Sequence, residues 1–383
     1  MVKRVLVLGS TGSIGEQALE VIAGSDQLTV AGLAAGSGWE RLCAQAREVG
    51  AHTVALAEAS AAARAAGELD GVRVLAGEDG VRDMIAATQP DLVLNAIVGT
   101  AGLGPTIATL SAGIDLALAN KESLVIGGDL VTTLAEATQA AILPVDSEHS
   151  ALAQLIERHP PGTVERIVLT ASGGPFRGRT DLADITVAQA LDHPTWRMGG
   201  RITVDSATLM NKGFEVIEAH HLFDLAYPLI EVVVHPQSIV HALVQLSDGS
   251  HFAHLGLPDM RVPISYALNH PDRPPVAEPV RLTELGTLSF EQPDDETFRC
   301  LRLAREAGLA GGNAPCVLNA ADEVAVAAFL DGRIAFTAIP EVIAGVLDET
   351  EVQAFGHFEE LFECDAQARE LAGQLVDRAG ATA

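Results

Sequence analysis

Residues Val5–Gly15 read VLVLGSTGSIG, in which a run of four apolar residues passes directly into a loop with a glycine at every third position. The segment that follows has apolar residues at helical spacing. Glycine permits a tight turn from strand to helix and a close approach to the backbone, and the free N–H groups of the first helical turn can then hold a pyrophosphate. The pattern predicts a first βα unit with a dinucleotide-binding loop, and a plain βα turn is the alternative interpretation.

Short apolar runs separated by helical patterns recur along the first part of the chain. They are Val5–Leu8, Thr29–Leu33, Thr53–Leu56, Leu92–Ala96, Asp115–Ala119 and Ala141–Val145. Such runs are typical of parallel strands that helices cover on both faces. The sequence therefore predicts an α/β fold that begins with a doubly wound, Rossmann-like sheet.

The pattern changes after Asp146. Runs rich in Val and Ile at Arg166–Thr170, Glu231–Val234 and Ser238–Gln245 accompany a long helical pattern from about Asp205 to Phe223. A mixture of strands with one long helix predicts a second domain of the α+β class.

Three further segments mark the organisation of the second half. Ser247–Ser250 has the composition of a hairpin turn, prolines gather in Pro271–Pro279, and an alanine-rich helical pattern begins at about Ala314. They predict an antiparallel hairpin, a linker and a C-terminal helical region.

Composition excludes several classes of function. The chain has 383 residues, a formal net charge of −27, 48% hydrophobic and 4% aromatic residues. This charge repels nucleic acid and anionic membranes, and so few aromatic residues disfavour a base-stacking surface. The four cysteines lack disulfide or zinc spacing, which favours a reducing cytoplasm. The uncharged segment Leu92–Ile114 is interrupted by glycines and a proline, so a membrane helix is not expected there.

The loop after the second predicted strand bears on the choice of cofactor. Gly36, Ser37 and Gly38 include no acidic residue of the kind that binds the ribose hydroxyls of NAD, which favours NADP. The loop has no arginine either; Arg41 is the nearest and is also explained as a solvated helix residue.

Acidic residues follow the sixth apolar run. Asp146 and Glu148 flank Ser147 at the carboxyl end of a predicted strand, where open parallel sheets bind ligands. In an extended segment both carboxylates point the same way and could hold one hard cation such as Mg²⁺ or Mn²⁺. Asp146 as the N-cap of a helix, with Glu148 in its first turn, is an equally good interpretation.

Two lysines stand beside polar residues. Lys121, between Asn120 and Glu122, opposes the dipole of a first helical turn, which favours a ligand role over a cap followed by surface charges. Asn211, Lys212 and Glu215 share one helix face, for which a solvated Lys–Glu pair is the default interpretation. Gly213 beside them indicates a close approach to the helix backbone.

Two loops and a group of histidines complete the candidates. Ser172 and the glycines after it could bind phosphate or form a simple turn. The segment His193–Gly200 contains Trp196 between a proline and two glycines, which indicates an active-site lid or a core anchor. The histidines on the predicted strands lack zinc spacing and are interpreted as structural.

Taken together, these segments resemble one family, 1-deoxy-D-xylulose 5-phosphate reductoisomerase. The matching motifs are GSTGSIG from Gly9, ANKESLV from Ala119, LPVDSEH from Leu143, SGGPF from Ser172, HPTWRMG from His193, VDSATLMNKGFE from Val204, VHPQSIVH from Val234 and LNAADE from Leu318. The resemblance implies NADPH- and metal-dependent isomerisation and reduction of 1-deoxy-D-xylulose 5-phosphate to 2-C-methyl-D-erythritol 4-phosphate, in the methylerythritol phosphate route to isoprenoids.

The resemblance also implies a homodimer and a division into domains. We place an NADPH-binding Rossmann-like domain at residues 1–146 and a catalytic and dimerisation domain at 147–280, with a mobile loop at about 192–201. A linker at 281–313 and a C-terminal helical domain at 314–383 follow.

Site residues carry over by position. NADPH contacts are expected from Thr11, Gly12, Ser13, Ile14, Gly36, Ser37, Gly38, Asn120, Glu122 and Gly199. Substrate contacts are expected from Lys121, Ser147, Glu148, Ser172, His193, Ser206, Asn211, Lys212 and Glu215. The implied ligands of Mg²⁺, Mn²⁺ or Co²⁺ are Asp146, Glu148 and Glu215, and Lys121 and Glu148 are the candidates for moving protons.

The chain departs from the family pattern at three places. Ser37 and Gly38 replace a basic residue and an asparagine, Gly200 replaces a bulkier residue, and Asp322 stands where asparagine is usual.

Three rival functions would each need a different set of residues. A short-chain dehydrogenase needs a lysine four residues after a tyrosine, and Glu231 and His270 occupy those positions after Tyr227 and Tyr266. A semialdehyde dehydrogenase needs a cysteine nucleophile in the central part of the chain, which has none. A non-catalytic NADP-binding sensor would keep the first loop without needing the three carboxylates.

Overall fold

The computed structural model describes residues 2–196 and 198–381. The chain forms two compact units, each built from several segments. Unit 1 comprises Met1–Ser123, Val131–Ser150 and Asp259–Glu278, and unit 2 comprises Leu124–Leu130, Ala151–Pro258 and Pro279–Ala383. The predicted boundaries at residues 146, 280 and 313 stay a prediction.

Eleven strands lie in two sheets within the described part of the chain. Unit 1 holds β1 (Lys3–Leu8), β2 (Leu28–Ala35), β3 (Thr53–Leu56), β4 (Arg73–Ala76), β5 (Leu92–Asn95), β6 (Asp115–Leu118) and β7 (Ile142–Pro144). Unit 2 holds β8 (Val164–Ala171), β9 (Ile230–Val234), β10 (Val240–Leu246) and β11 (His251–Leu255).

Helices follow most of the strands. They are α1 (Ser13–Ala23), α2 (Trp39–Val49), α3 (Ala59–Glu68), α4 (Gly77–Thr88), α5 (Leu103–Ser111), α6 (Glu122–Thr138), α7 (Ser147–Ile156), α8 (Val187–Ala190), α9 (Gly200–Thr208), α10 (Met210–Phe223), α11 (Arg261–Asn269), α12 (Leu282–Leu285), α13 (Arg299–Ala310), α14 (Ala314–Leu330), α15 (Ala338–Glu349) and α16 (Phe358–Gly380). Short 3₁₀ helices cover Thr100–Gly102 and Tyr227–Leu229. Across residues 2–196 and 198–381, none of the helices is both long and apolar enough to cross a membrane.

The sheet of unit 1 is parallel and has the order β4-β3-β2-β1-β5-β6-β7. Val5–Leu8 of β1 is fully buried because the sheet is covered on both faces, which explains its uninterrupted apolar sequence. The chain leaves β1 in opposite directions toward β2 and β5, so the carboxyl end of β1 is the switch point at which such sheets bind ligands. The predicted doubly wound α/β fold is confirmed.

The edge strand β4 is a difference from the sequence prediction. Its residues, Arg73–Ala76, are half-buried or exposed at the end of the sheet. A short edge strand needs no continuous apolar run, so the pattern used for the other strands could not find it.

The sheet of unit 2 is mixed and has the order β11-β10-β8-β9. Strand β10 is antiparallel to both β8 and β11, whereas β8 and β9 are parallel. The predicted hairpin around Ser247–Ser250 is therefore correct. One hydrophobic core joins this sheet to the C-terminal helices and includes Ile167, Phe214, Val317 and Val376.

The predicted single helix from Asp205 to Phe223 is wrong. The segment forms α9 and α10, which are separated at Leu209, a residue in the left-handed region with φ 63°. Its side chain is buried in the core of unit 2, so packing overrides the local cost of this conformation. A leucine gives no sequence signal for such a break.

The close approach predicted at Gly213 is made by helix α13. A Cβ atom at Gly213 would lie only 2.4 Å from the Cβ of Ala304. Glycine is therefore required for the packing of α10 on α13, and this packing places the rest of α10.

We expect Gly213→Ala to lower the free energy of unfolding by about 1–3 kcal/mol, because overpacking outweighs the better helix propensity of alanine. Denaturant unfolding of the purified variant measures this change. Gly67→Ala in α3 is the matched control: no atom lies within 4 Å of the added Cβ, and a gain of about 0.5–1 kcal/mol is expected. Equal effects of the two substitutions would contradict the packing argument, and the additional change Ala304→Gly should restore part of the loss.

Candidate active site

The glycine-rich loop joins β1 to α1 and depends on close backbone contacts. Gly9 has φ 81°, and a Cβ atom there would lie 2.5 Å from the carbonyl oxygen of Ala96. A Cβ atom at Gly15 would lie 2.3 Å from the carbonyl oxygen of Gly9. Gly12 is the exposed N-cap of α1. The N-terminus of α1 therefore points its N–H groups out of the sheet edge, where a pyrophosphate can bind them.

A polar bridge attaches this loop to α2. Ser10 Oγ donates to Gln45 Oε1 at 2.8 Å, and Gln45 Nε2 donates to the carbonyl oxygen of Ser10 at 2.8 Å. Gln45 Nε2 also lies 3.1 Å from Glu16 Oε1, and Glu16 pairs with Arg41. Gln45 is fully buried and was missed by the sequence analysis, because one glutamine on an apolar helix face carries no distinctive spacing.

The predicted ribose-binding loop lies next to the glycine-rich loop. Gly36, Ser37 and Gly38 are exposed, and a Cβ atom at Gly38 would be 3.5 Å from Thr11 Oγ1. Arg41, in the first turn of α2, is half-exposed and paired with Glu16. The structure thus brings the first and second predicted cofactor loops together.

Glu122 and Asn120 fix the loop that follows β5. Glu122 Oε1 accepts from the backbone N–H of Gly99 at 2.9 Å, and its Oε2 accepts from Asn120 Nδ2 at 2.9 Å. Asn120 Nδ2 also lies 3.0 Å from the carbonyl oxygen of Gly99. Both side chains are buried, so they shape the backbone at the carboxyl end of the sheet.

A lysine and two carboxylates meet at the carboxyl end of β7. Lys121 Nζ forms an ion pair with Asp146 Oδ2. Ser147 Oγ donates to Glu148 Oε2 at 2.6 Å, and Asp146 and Glu148 each place an oxygen within 4.8 Å of the other. Asp146 directly precedes α7 and accepts the Ser147 N–H at 3.0 Å, so it also has the position proposed for a cap. Two hard oxygen donors at this distance suit a divalent cation.

The polar residues of α10 form a buried group in unit 2. Lys212 Nζ pairs with Glu215, and Asn211 Nδ2 donates to Glu215 Oε1 at 2.6 Å. Lys212 and Glu215 are both at least 95% buried, so the default interpretation as a solvated surface pair is wrong. Burying these charges is costly unless they are paired, which favours a functional role over a stabilising one.

Ser172 and His193 form a second polar group in unit 2. Ser172 Oγ lies 3.0 Å from His193 Nε2. His193 Nδ1 accepts from the N–H groups of Thr195 and Trp196 at 3.1 and 2.9 Å, which assigns the ring proton to Nε2. Burial lowers the pKa of His193, so the neutral ring donates to Ser172.

Helix α9 approaches the Ser172 loop at Ser206. Gly174 has φ 68°, and a Cβ atom there would be 2.7 Å from the carbonyl oxygen of Ser206. Gly174 N–H also donates to Ser172 Oγ at 3.2 Å. The structure therefore places the side chain of His193 beside Ser172 and the backbone of Ser206 beside the Ser172 loop. Of the predicted lid, Gly199 is the exposed N-cap of α9, and Arg197 lies outside the described residues.

Comparison with known proteins identifies the family. Three family models match in turn: DXP reductoisomerase over residues 5–128 and its two C-terminal domain models over 142–223 and 255–371. The reductoisomerase of Pelotomaculum thermopropionicum is 49% identical over 381 residues, covering 98% of both chains. That of a Geobacillus species is 47% identical over 380 residues, covering 98% of this chain and 100% of the relative. The chain belongs to the 1-deoxy-D-xylulose 5-phosphate reductoisomerase family.

Solved reductoisomerases have the same fold. A crystal structure of a reductoisomerase in complex with NADPH, fosmidomycin and magnesium superposes with a TM-score of 0.94 at 38% identity, covering 98% of each chain. The enzyme of Zymomonas mobilis in complex with NADPH superposes with a TM-score of 0.91 at 39% identity, covering 98% of this chain and 100% of the other. Membership of the reductoisomerase family excludes the semialdehyde dehydrogenase alternative.

The Ser37 loop lacks the basic residue that the family resemblance leads us to expect beside the 2′-phosphate of NADPH, and this absence can be tested. We expect Ser37→Arg to widen the preference for NADPH over NADH, because a charged hydrogen bond to the 2′-phosphate contributes about 1.5–3 kcal/mol, or roughly tenfold and more. The ratio of kcat/KM for the two cofactors measures this preference, and the effect should be larger at low salt.

Ser37→Gln is the matched control, since it adds length without charge and should leave the ratio near that of the natural chain. The loop does not border the 2′-phosphate if Ser37→Arg leaves the ratio unchanged or if the natural chain prefers NADH.

Proposed function

We propose that the chain converts 1-deoxy-D-xylulose 5-phosphate to 2-C-methyl-D-erythritol 4-phosphate with NADPH and a divalent cation, in the methylerythritol phosphate pathway of isoprenoid biosynthesis. The observation that carries this proposal is the pairing of Lys121 with Asp146 beside Glu148 at the sheet edge, in a chain of this family. A relative of the same fold was crystallised with NADPH, fosmidomycin and magnesium, which supports both cofactors.

The proposed cation ligands are Asp146, Glu148 and Glu215. All three offer carboxylate oxygens, the donors that Mg²⁺ and Mn²⁺ prefer, and Co²⁺ is a third candidate. Ser147 orients Glu148, and lysines pair with the other two carboxylates, so the donors are held ready for a positive charge. When bound, the cation polarises the ketone and neighbouring hydroxyl oxygens of the substrate.

The proposed phosphate site consists of Ser172, His193, Ser206, Asn211 and Lys212. Lys212 supplies positive charge, and the hydroxyl and amide groups supply donors to the phosphate oxygens. Neutral His193 holds Ser172 through Nε2, which keeps the hydroxyl in place. This local site would let a chain with a net charge of −27 bind an anionic substrate.

Lys121 and Glu148 are the proposed proton-moving residues. Lys121 follows β6 and Glu148 follows the neighbouring strand β7, and Lys121 is buried against Asp146. Burial removes competing water, so the ammonium can hold or release a proton toward a substrate oxygen rather than toward solvent. The hydrogen bond from Ser147 limits the rotation of the Glu148 carboxylate and so fixes the direction in which Glu148 can transfer a proton.

NADPH is proposed to bind along the glycine-rich loop, the Gly36–Gly38 loop, Asn120, Glu122 and Gly199. The steric requirements at Gly9 and Gly15 support a pyrophosphate at the N-terminus of α1. When bound there, NADPH would supply the hydride for the reduction. The loop predicted at about 192–201 is proposed to close over the substrate through the part that precedes α9, since Gly200 and Arg201 belong to that helix. Four free thiols support a cytoplasmic location.

Removal of the metal tests the function. We expect EDTA to abolish turnover of 1-deoxy-D-xylulose 5-phosphate and Mg²⁺ or Mn²⁺ to restore it. Asp146→Asn or Glu215→Gln should lower kcat at least about 100-fold while NADPH binding changes less than about twofold, because a hard-cation site depends on ligand charge. Turnover is followed by NADPH absorbance and NADPH binding by calorimetry.

Glu165→Gln, which changes an exposed carboxylate on β8, is the control and should retain full activity. Full activity of either site variant near saturating Mg²⁺ would contradict the metal assignment. Binding of NADPH without any metal-dependent turnover would instead support the non-catalytic sensor.

We also propose that β11 forms the contact between two copies of the chain. It is the terminal strand of its sheet, and exposed Phe252, Leu255 and Leu257 lie on or next to it. A terminal strand offers unpaired backbone groups, and two copies can pair antiparallel about a twofold axis.

Light scattering should therefore give twice the chain mass for the natural protein. Phe252→Lys together with Leu255→Lys should yield monomer, because the paired strands would bring like charges together. Leu309→Lys, at a more exposed apolar position on α13, is the control and should leave the dimer intact. A natural protein that is monomeric at micromolar concentration would contradict the proposal.

A further inference from the structure

Arg201 joins the start of α9 to α14, the first helix of the predicted C-terminal helical region. Its side chain is largely buried, with Nη2 lying 3.0 Å from Asn319 Oδ1 and 3.3 Å from Asp322 Oδ2. Nη1 lies 3.0 Å from Glu323 Oε1, and Nε lies 3.5 Å from Asp205 Oδ2. One guanidinium thus contacts two helices through four side chains.

The cluster continues to α16 and has more acids than bases. Arg369 pairs with Glu323 at 2.8 Å and with Asp365 at 2.6 Å. Asp322 is fully buried beside this excess of negative charge. Burial raises the pKa of Asp322 to about 6, although Arg201 opposes the shift.

Helix α9 connects this cluster to the proposed phosphate site. Arg201 lies in its first turn, and Ser206, in its last turn, contacts the Ser172 loop at Gly174. The two residues before Arg201 are glycines, which have no side chain to fix the start of the helix. Together with the buried side chains of Val204 and Ala207, the contacts of Arg201 therefore hold α9 where Ser206 meets the Ser172 loop.

We propose that Arg201 and Asp322 are positioning residues for the substrate phosphate. Asp322 on α14 holds Arg201, and Arg201 in turn holds α9, which carries Ser206 of the proposed phosphate site. The inference rests on the proposed function. A neutral asparagine at 322 would accept one hydrogen bond from the Arg201 guanidinium but would lack the negative charge that attracts this guanidinium. The ionised carboxylate of Asp322 thus serves to fix the position of Arg201.

The raised pKa of Asp322 agrees with this interpretation. An acid whose folded-state pKa lies above its unfolded value of 3.8 lowers stability progressively as pH rises from about 4 to 6, because the folded state then gives up a proton it holds more tightly. A carboxylate present only for stability would be expected to do the opposite. Asp322 faces Arg201 and Asp205 of α9, Glu323 of its own helix and Cys300 of α13.

Inorganic phosphate binding and melting temperature together test the proposal. At pH 7.5, Asp322→Asn should raise the melting temperature, yet weaken the Kd for inorganic phosphate and raise the KM for substrate by about threefold to tenfold. Arg201→Lys should likewise raise the Kd for inorganic phosphate and the KM for substrate, while the KM for NADPH stays the same. The ratio of the two Kd values, Asp322→Asn over natural chain, should fall toward one at pH 5, where Asp322 is protonated. His193 and phosphate titrate in both proteins, so their effects cancel in this ratio.

Asp365→Asn is the matched control, because it removes a carboxylate of the same cluster that pairs with Arg369 rather than Arg201. Its Kd for phosphate should stay within about twofold of the natural value. Wild-type phosphate affinity and KM in both Arg201→Lys and Asp322→Asn, or a Kd ratio that does not change with pH, would overturn the proposal. If Arg201→Lys fails to fold, the isosteric Asp322→Asn decides alone. Failure of the natural chain to turn over substrate refutes the proposed function, whereas the phosphate comparison still decides the positioning role.

Discussion

The turn between β1 and α1 depends on backbone contacts so close that no side chain fits at Gly9 or Gly15. Because Gly9 lies against Ala96, the same contact that turns the chain also fixes the end of β5 beside the end of β1. Glu122 and Asn120 then hold the next stretch, at Gly99, by hydrogen bonds. The ligand-binding edge of unit 1 is thus built by sterics first and by buried polar groups second.

Paired buried charges are the second theme of the molecule. Lys121 with Asp146, Lys212 with Glu215 and Arg201 with Asp322 each place a base against an acid in a site that excludes most water. Such pairs contribute little to stability, since desolvation offsets the attraction. Removing one partner is nevertheless costly at Lys121–Asp146 and Lys212–Glu215, because it leaves a buried charge with fewer partners. Arg201 differs, because it keeps its contacts with Asp205 and Glu323 when Asp322 is neutralised. These pairs therefore hold geometry more than they hold the fold together. A fixed side-chain geometry suits groups that are to bind a cation or a phosphate.

The parts of the fold that sequence could predict are those whose physics is local. The glycine spacing specifies the first turn without knowledge of any distant residue, and parallel strands buried on both faces produce apolar runs. The break at Leu209 could not be predicted, because it follows from the burial of that side chain in the core of unit 2. Strand β4 has no continuous apolar run by which it could be predicted, because a short strand at the edge of a sheet does not need one.

The candidate site shows the same division. Asp146, Glu148 and Lys121 could be nominated because they follow strands at a known binding edge, whereas the default interpretation of Lys212 and Glu215 failed because burial is a property of the tertiary structure. Gln45 and Arg201 contact residues far away in the chain, so no spacing could reveal them.

Charge balance links the proposed metal and phosphate sites. The proposed set pairs three carboxylates, Asp146, Glu148 and Glu215, with two lysines, Lys121 and Lys212, and so carries a net negative charge. Together with the overall charge of −27, this would repel a phosphorylated substrate. A divalent cation reverses the sign of the set, and the attraction is strengthened where water is excluded. Metal binding and substrate binding should therefore be thermodynamically linked, each raising the affinity for the other by the same factor.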